Sequence, residues 1–309
     1  MNIYYNIKEL PVFHNAVITI GSFDGVHSGH TKIIHQLKEE AQKINGCSVV
    51  ITFHPHPKQI IGNSNYSISL LNTPEEKSFL LEKAGINHLV IVPFSKEFSE
   101  LTAASYISDF LVKNFHPHTI ITGYDHRFGK NRTGNYELLE SFSNQYGYKV
   151  KEIPEYVIND ISISSTSIRA AINNGDIEEA NKLLGYPYFF SGIVIKGLEI
   201  GRTIDFPTAN ILVSNPDKLL PANGVYAVKV KIDNNHSEYK GMMNIGNKPT
   251  FEKNEKTIEV NIFNFNEDIY NQRIQIFLQS RLRSEIKFSG IEELKKQLHK
   301  DKEICLSVL

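Results

Sequence analysis

A glycine- and histidine-rich segment over residues 21–30 constrains the fold of this chain more than any other part of it. It follows an apolar, β-branched run at 16–20 and precedes apolar residues at helical spacing between 33 and 44. The segment is therefore predicted to lead from a buried strand into a helix N-terminus, where backbone N–H groups and the helix dipole favour a phosphate. His27 and His30 lie on one face of that helix start. The alternative is a glycine- and histidine-rich turn without a ligand.

Composition excludes several classes of protein. A chain of 309 residues predicts about two domains, and 41% hydrophobic with 22% charged residues is typical of a globular protein with a packed core. The formal net charge of −1 gives no reason to expect nucleic acid or a membrane as a partner. No apolar run approaches a membrane span, no signal peptide pattern is present, and two cysteines make neither a metal site nor a disulfide framework. We therefore expect a cytoplasmic protein.

Residues 1–185 alternate strand and helix patterns. A capping box with a proline at the first helical position predicts that one helix begins after Thr73. Strands separated by helices predict an α/β fold, a parallel sheet with helices on both faces, in which ligands bind beyond the carboxyl ends of the strands. The predicted strands are 16–20, 48–53, 88–92 and 119–122, and the predicted helices are 73–85, 102–115 and 134–146.

The pattern changes after Gly185, which has the character of a helix C-cap. Short strand patterns separated by turn residues predict a small antiparallel barrel, and residues 290–309 predict an amphipathic closing helix. The chain is therefore divided into domains 1–185 and 186–309. The predicted barrel strands are 189–195, 225–232, 239–245, 257–263 and 274–280.

Three further polar segments of the first half could bind a ligand. Residues 52–57 hold two histidines among prolines, which favours a rigid turn because a zinc site needs three or four ligands. Residues 123–129 bring Asp125 and Arg127 to the sheet edge, where a surface ion pair is the alternative. Residues 163–169 place consecutive hydroxyls and an arginine at a helix start, more than capping requires, and these groups suit a polyphosphate.

Taken in order, the motifs at 27–30, 123–129 and 163–169 resemble the FAD synthetase module of the prokaryotic bifunctional riboflavin kinase/FMN adenylyltransferases. The second half resembles the riboflavin kinase of the same family, and the two motif sets come from unrelated folds. The resemblance implies a Rossmann-like nucleotidyltransferase domain followed by a β-barrel kinase domain. It also implies riboflavin, FMN and FAD as ligands and ATP with Mg²⁺ as co-substrate. The kinase-like segments are 197–210, which contains Pro-Thr-Ala-Asn, 221–226, 241–251, 257–260 and 282–288.

In the first half, the resemblance implies that the phosphate of FMN attacks the α-phosphorus of ATP and that pyrophosphate leaves. Because this nucleophile is already an anion, the reaction needs hydrogen-bond donors where charge develops, and His27 and His30 are the catalytic candidates. Asp24 and Asp125 would contact a metal or the ribose, and both alternatives stay open. The implied nucleotide-binding residues are Gly21, Phe23, Asp24, His27, His30, Asp125, Arg127, Ser165, Thr166 and Arg169.

In the second half, the resemblance makes Glu259 the base that aligns the riboflavin hydroxyl. It makes Thr208 and Asn210 the residues that hold Mg²⁺ and the ATP phosphates, since oxygen ligands suit that ion. The alternative for Glu259 is an outward-facing strand residue, and alternation along the strand does not decide between them. Gly201 and Arg202 are further implied nucleotide-binding residues, and Asn244 and Arg283 are implied flavin-binding residues.

The chain departs from the family pattern at four positions. Asn261 stands where many relatives have histidine, and His126 stands where phenylalanine is more common. Asp205 and Asn271 occupy positions where glycine is usual, and asparagine tolerates a positive φ better than most residues. Two other interpretations are an enzyme with one active half and a flavin-binding regulator without turnover. Motifs in both halves favour the bifunctional enzyme, and the sequence does not indicate an oligomeric state.

Overall fold

The structure is a computed structural model, and it describes residues 1–62, 68–154, 157–158, 161–197, 201, 204–233, 237–249 and 254–309. The chain forms two compact units, Met1–Ser165 and Thr166–Leu309. Within the described ranges, every helix is too short or too polar to span a bilayer.

The first unit is built on a six-stranded parallel sheet, which confirms the predicted fold class. The strand order is β1-β4-β3-β2-β5-β6, so the chain proceeds outward from β2 in both directions and the order switches between β2 and β5. Ligands of such sheets bind at the carboxyl ends of the strands beside this switch. The strands are β1 (Asn2–Tyr4), β2 (Val17–Ile20), β3 (Ser48–His54), β4 (His88–Pro93), β5 (Thr119–Gly123) and β6 (Lys149–Ile153), with a short pair β7 (Val157–Ile158) and β8 (Ile161–Ser162).

Helices cover both faces of this sheet, as predicted. Alternate strand residues point to opposite faces, and they divide accordingly between two hydrophobic clusters, one holding Val17 and the other Ile18. Leu37 and Leu81 belong to the first cluster, and Leu111 and Leu139 belong to the second. The helices are α1 (Ser28–Lys43), α2 (Pro57–Ile61), α3 (Pro74–Lys83), α4 (Lys96–Ser99), α5 (Ala103–Ser105), α6 (Lys113–Phe115) and α7 (Tyr136–Tyr146), with a π-helical turn at Tyr106–Val112 between α5 and α6.

The second unit is a closed antiparallel barrel with the strand order β10-β13-β12-β11-β14-β9, which confirms the predicted barrel. The predicted closing helix is also present, as α10 (Ile291–Val308). Two helices precede the barrel, α8 (Ser165–Asn174) and α9 (Ile177–Leu184), and Gly185 ends α9 in the left-handed region with φ 82°. The strands are β9 (Phe189–Ile195), β10 (Ala209–Leu212), β11 (Gly224–Ile232), β12 (Glu238–Pro249), β13 (Asn254–Ile262) and β14 (Arg273–Arg283).

Hydrogen bonds attach α8 and α9 to the barrel. The Asn181 side chain donates to the carbonyl of Leu278 on β14 over 2.9 Å and accepts from the backbone N–H of Tyr188 over 2.7 Å. The N–H of Ala222 donates to the carbonyl of Ile172 at the longer distance of 3.4 Å. The two helices therefore stabilise the barrel although they precede the sequence boundary predicted at residue 185.

We expect a fragment of residues 166–309 to unfold at a higher temperature than one of residues 186–309. The shorter fragment keeps every barrel strand and α10 but loses the partners of the Leu278 and Tyr188 backbone groups. Circular dichroism melts of the two fragments would measure the difference. Asn181→Leu in the longer fragment should remove part of it, and equal melting temperatures for the two fragments would contradict the stabilising role of α8 and α9.

The C-terminal helix is joined to the barrel by a buried ion pair. Arg283, the last residue of β14, donates to the Asp301 carboxylate from Nε over 2.9 Å and from Nη2 over 2.6 Å. Asp301 is 1% exposed and also accepts from the Gln297 side chain over 2.7 Å. Removing one partner of such a pair leaves an uncompensated buried charge, which is strongly unfavourable.

Asp301→Ala should therefore destabilise the packing of α10 on the barrel by about 3–5 kcal/mol. Amide hydrogen exchange of the full chain would measure the loss as faster exchange in α10 and at the end of β14. Glu303→Gln on the exposed side of the same helix is the matched control and should leave exchange unchanged. Unchanged protection in Asp301→Ala would mean that the pair does not hold the helix.

Candidate active sites

The loop over residues 21–30 leaves the sheet beside its topological switch. The Gly21 N–H continues the ladder to β3, donating to the carbonyl of Ile51 over 3.0 Å, and the chain then turns into α1. Within this turn φ is positive at Phe23 (45°), Gly25 (92°) and Val26 (37°). A β-branched residue in that region is strained, and such strain persists only where surrounding contacts fix the backbone.

Asp24 provides several of those contacts. Its side chain is 1% exposed, and Oδ1 accepts from the backbone N–H groups of Leu71 over 3.0 Å and Asn72 over 3.2 Å. Its backbone carbonyl accepts from the Ser165 hydroxyl over 2.8 Å. Asp24 therefore fastens the 21–30 loop to the segment before α3, and its predicted contact with a metal or a ribose stays a prediction.

Lys77 on α3 holds the same loop from the side of the sheet. Its Nζ donates to the Ser22 carbonyl over 2.6 Å and to Thr52 Oγ1 over 3.2 Å. Burial lowers the pKa of Lys77 to about 8, against the opposing effect of the Asp24 charge. No motif pointed to Lys77, although its position one helical turn before the buried Leu81 places it on the inward face of α3.

The two predicted histidines lie together at the start of α1. His27 is the N-cap residue, and its ring stacks on that of His30 with centroids 3.7 Å apart. Burial, together with the charges of His27 and Lys77, holds the pKa of His30 well below its usual range. His30 is therefore neutral near pH 7, and it offers one N–H donor and one acceptor. Within the described ranges its Nδ1 is buried without a hydrogen-bond partner, so that atom is available to a ligand.

Close packing at this helix start leaves little room for a side chain at Gly21 or Gly29. The ring of Phe23 lies against that of His30, with centroids 4.9 Å apart. A Cβ on Gly21 would come within 3.2 Å of the Phe23 ring, and one on Gly29 within 3.2 Å of His27 Nδ1. The predicted residues Gly21, Phe23, His27 and His30 therefore form one packed group.

The loop after β5 lies on the other side of the switch. Asp125 and Arg127 are both exposed there, and Arg127 Nη1 donates to the carbonyl of His126 over 3.1 Å. The His126 ring stacks near that of Phe128, with centroids 5.7 Å apart, and burial lowers the pKa of His126 to about 4. A neutral imidazole thus takes the place of the more common phenylalanine.

The hydroxyl-rich segment begins α8, as predicted. Ser165 is the first residue of the helix and reaches Asp24, as described above. Thr166 is exposed and Arg169 is half-buried, and both belong to the second compact unit. Their contact with a nucleotide stays a prediction.

The segment at 52–57 forms a helix start. His56 caps α2 by accepting from the Lys58 N–H over 3.2 Å.

Four of the predicted kinase residues lie in one row across the barrel. On β10 and β13, Asn210 pairs with Glu259, which in turn pairs with Asn244 on β12. Asn244 pairs with Val225 on β11, and Val225 pairs with Arg283 on β14. Directly paired residues of antiparallel strands place their side chains on the same face. The row therefore brings together four residues that the sequence places far apart.

Glu259 is half-buried and lies on the strand face opposite to Ile258 and Val260, which are 4% and 0% exposed. Its Oε2 accepts from Thr208 Oγ1 over 3.2 Å. Arg283, at the end of the row, is held by Asp301 as described above, and its flavin contact stays a prediction.

The segment that carries Thr208 is fixed at several points. Asn261, 7% exposed, donates from its side chain to the Pro207 carbonyl over 2.6 Å. The Phe206 N–H donates to the Gly201 carbonyl over 2.9 Å, and a Cβ on Gly201 would clash with the Phe206 carbonyl at 2.2 Å. Arg202 lies outside the described residues. Asn261, which stands where many relatives have histidine, therefore holds the Pro-Thr-Ala-Asn segment in this chain.

Backbone conformation explains two of the departures. Asp205 has φ 60° and Asn271 has φ 64°, both in the region that glycine adopts most easily. Asn and Asp are the residues that enter this region most readily after glycine. The turns at these positions therefore keep their left-handed conformation without glycine.

The donors near Glu259 are suited to a hard cation. Thr208 supplies a hydroxyl oxygen and Asn210 an amide oxygen, and Mg²⁺ prefers oxygen ligands. No group of three or more His, Cys, Asp or Glu side chains arranged for a metal occurs in the part of the chain that the structure describes.

Comparison with known proteins assigns both halves. Residues 10–167 match the family model of FAD synthetase, and residues 184–309 match that of riboflavin kinase. Residues between these two matches, most of α8 and α9, fall outside both models.

Curated relatives match nearly the whole chain. A bifunctional riboflavin kinase/FMN adenylyltransferase of Bacillus subtilis is 40% identical over 93% of this chain and 90% of its own length. One from Buchnera aphidicola is 40% identical over 97% of this chain and 95% of its own. One from Escherichia coli K12 is 35% identical over 96% and 93%.

A solved structure shares the fold of the whole chain. It is described as a macrolide-efflux protein from Streptococcus pneumoniae, is 33% identical, covers 98% of this chain and 97% of its own, and has a TM-score of 0.90. That description refers to the solved protein. The family models and the curated relatives agree with each other, and both put an FAD synthetase part before a riboflavin kinase part. The chain belongs to the family of bifunctional riboflavin kinase/FMN adenylyltransferases.

Proposed function

We propose that the barrel phosphorylates riboflavin to FMN with ATP, and that the parallel-sheet unit transfers the adenylyl group of a second ATP to FMN, giving FAD and pyrophosphate. The row of Asn210, Glu259, Asn244 and Arg283 across the barrel is the observation that carries the kinase assignment. The proposed domains are 1–185 and 186–309, with α8 and α9 packed on the barrel. A cytoplasmic location belongs to the same proposal, since both reactions consume ATP.

In the kinase, Glu259 accepts the proton of the primary ribityl hydroxyl while that oxygen attacks the γ-phosphorus. The new O–P bond forms as the bond from the γ-phosphorus to the bridging oxygen breaks and ADP leaves. Thr208 orients the carboxylate through its 3.2 Å hydrogen bond, and Asn261 fixes the segment on which Thr208 lies. Mg²⁺, held by Thr208 and Asn210, supplies neutralisation of phosphate charge when bound.

Asn244 is proposed to contact the flavin. Its pairing with Glu259 on the neighbouring strand supports this proposal, because Glu259 is proposed to accept the proton of the reacting hydroxyl. Arg283 ends the same row and is proposed to line the flavin site while its guanidinium remains paired with Asp301. Gly201 provides the close turn under the nucleotide phosphates, and Arg202 is proposed to contact them.

In the adenylyltransferase, a phosphate oxygen of FMN attacks the α-phosphorus and the bond to pyrophosphate breaks. Negative charge grows on the phosphates, and the N-terminus of α1 and the neutral N–H of His30 face that charge. His27, Ser165, Thr166 and Arg169 are proposed as further donors. The exposed Asp125 and Arg127 are proposed to contact the nucleotide from the loop after β5.

Incubation with riboflavin and MgATP, followed by chromatography, tests both activities at once. Sequential appearance of FMN and then FAD is expected. FMN alone would indicate one active half, and binding of flavin without either product would indicate a regulator.

Glu259→Gln should lower riboflavin phosphorylation by roughly 10²–10⁴-fold, because the amide keeps the shape of the side chain but cannot accept the proton. FAD synthesis from supplied FMN should persist. Glu267→Gln, in an exposed loop of the barrel unit, is the control and should retain both activities. Loss of both activities in Glu259→Gln would instead assign Glu259 a structural role.

His30→Ala should lower FAD formation by about 10²–10³-fold, the usual cost of one preorganised donor. FMN should then accumulate from riboflavin, since the barrel is unchanged. His35→Ala is the matched control, because His35 lies on the same helix with a side chain that is 73% exposed. Near-normal FAD formation by a folded His30→Ala protein would remove His30 from the proposed site.

A further inference from the structure

Lys77 is a buried cation that neither proposed reaction uses. It is 7% exposed, and its Nζ donates to the carbonyl of Ser22 over 2.6 Å and to Thr52 Oγ1 over 3.2 Å. Burying an ammonium group removes its hydration, which is unfavourable even when hydrogen bonds compensate in part. An apolar residue at this position of α3 would avoid that cost, so the lysine requires an explanation beyond packing.

The carbonyl that Lys77 contacts belongs to the strained part of the 21–30 loop. Ser22 precedes Phe23, whose φ is 45°, and its carbonyl also accepts from the Thr52 hydroxyl over 3.0 Å. Phe23 in turn packs against the His30 ring. A continuous path of contacts therefore leads from Lys77 through Ser22 and Phe23 to His30.

We propose that Lys77 is a positioning residue for adenylyl transfer. It fixes the Ser22 carbonyl from behind the loop and thereby keeps Phe23 and His30 in the arrangement that receives the ATP phosphates. It acts through the loop and does not itself contact ATP or FMN. This inference rests on the proposed function of the 21–30 loop.

The charges around Lys77 support the same role. Asp24 favours the protonated ammonium, and the positive charge of Lys77 helps hold His30 in its neutral form, which has one N–H donor and one acceptor. Among the described residues, the charges that interact with Lys77 are those of Asp24 from the loop and His30 at the start of α1. His54 and His56 line a small cavity together with Lys77 and Thr52.

The first test compares Lys77→Met with Lys83→Met in the full chain. Lys83 is an exposed residue of the same helix, so its variant controls for loss of a lysine from α3. FAD formation from FMN and ATP should fall by about 10²-fold in kcat for Lys77→Met, as expected when a reactive group is displaced by about 1 Å. Riboflavin phosphorylation by the same molecules is the internal control and should be unchanged in both variants.

The second readout separates positioning from a general effect on folding. The imidazole pKa of His30, followed by NMR of the labelled full chain, should rise in Lys77→Met because a neighbouring positive charge is removed. The pH dependence of FAD formation should change with it, because the proton on His30 then titrates at a higher pH. Lys83→Met should change neither quantity.

Wild-type FAD formation by a folded Lys77→Met protein would overturn the inference, as would an unchanged His30 pKa. If Lys77→Met does not fold, Thr52→Val is the deciding variant, because it removes a hydrogen-bond partner of both Lys77 and Ser22. A reduced rate of FAD formation in Thr52→Val supports the inference, and a wild-type rate overturns it.

Comparison with His30→Ala separates this inference from the proposed function of the loop. If both Lys77→Met and His30→Ala keep FAD formation, the proposed function of the loop fails. If His30→Ala loses FAD formation and Lys77→Met keeps it, the loop function stands and the role of Lys77 fails.

Discussion

The strained turn after β2 is the feature on which the first site depends. Phe23 and Val26 have a positive φ, which neither side chain favours. The free-energy cost of such a backbone conformation is on the order of 1–3 kcal/mol for each residue. Polar contacts to Asp24 and to the Ser22 carbonyl offset this strain, and they come from α3, from the segment before it and from Ser165. Local sequence alone would not hold the two histidines at the helix start, because the fixing groups are distant along the chain.

Closure of the barrel fixes the positions of the residues in the second site, as the hydrogen bonds to the 21–30 loop fix those in the first. In a closed sheet a strand cannot slip in register without disturbing both neighbours, and a slip of one residue would move a side chain to the other face. Glu259 therefore keeps Asn210 and Asn244 as its cross-strand partners. The Thr208 hydroxyl donates to Glu259, and the Asn261 amide donates to the Pro207 carbonyl, so these two hydrogen bonds join the neighbouring segment to β13.

Patterns contained within one element were predicted well from the sequence. The capping box of Thr73 and Glu76 forms on both sides, at 3.3 and 3.1 Å, and Gly185 takes the left-handed conformation of a helix end. The four-residue β10 and the polar edge strand β6 were not predicted, because their hydrophobic patterns are too short or too weak. Lys77 and the pair of Arg283 with Asp301 were also not predicted, since each depends on elements brought together only by the fold. The packing of α8 and α9 on the barrel is a tertiary effect of the same kind.

The order of barrel strands has a consequence for synthesis on the ribosome. β9 is the first barrel strand to emerge, yet it pairs with β10 and with β14, and β14 is the last strand made. Until β14 appears, one edge of β9 has unpaired backbone groups, and such edges are prone to pair with other chains. Domains tend to fold from the N-terminus during translation, so the parallel-sheet unit can be complete while the barrel is still open. Helix α10 follows β14 and brings Asp301 to Arg283, so the barrel acquires this packing only after both elements have been made.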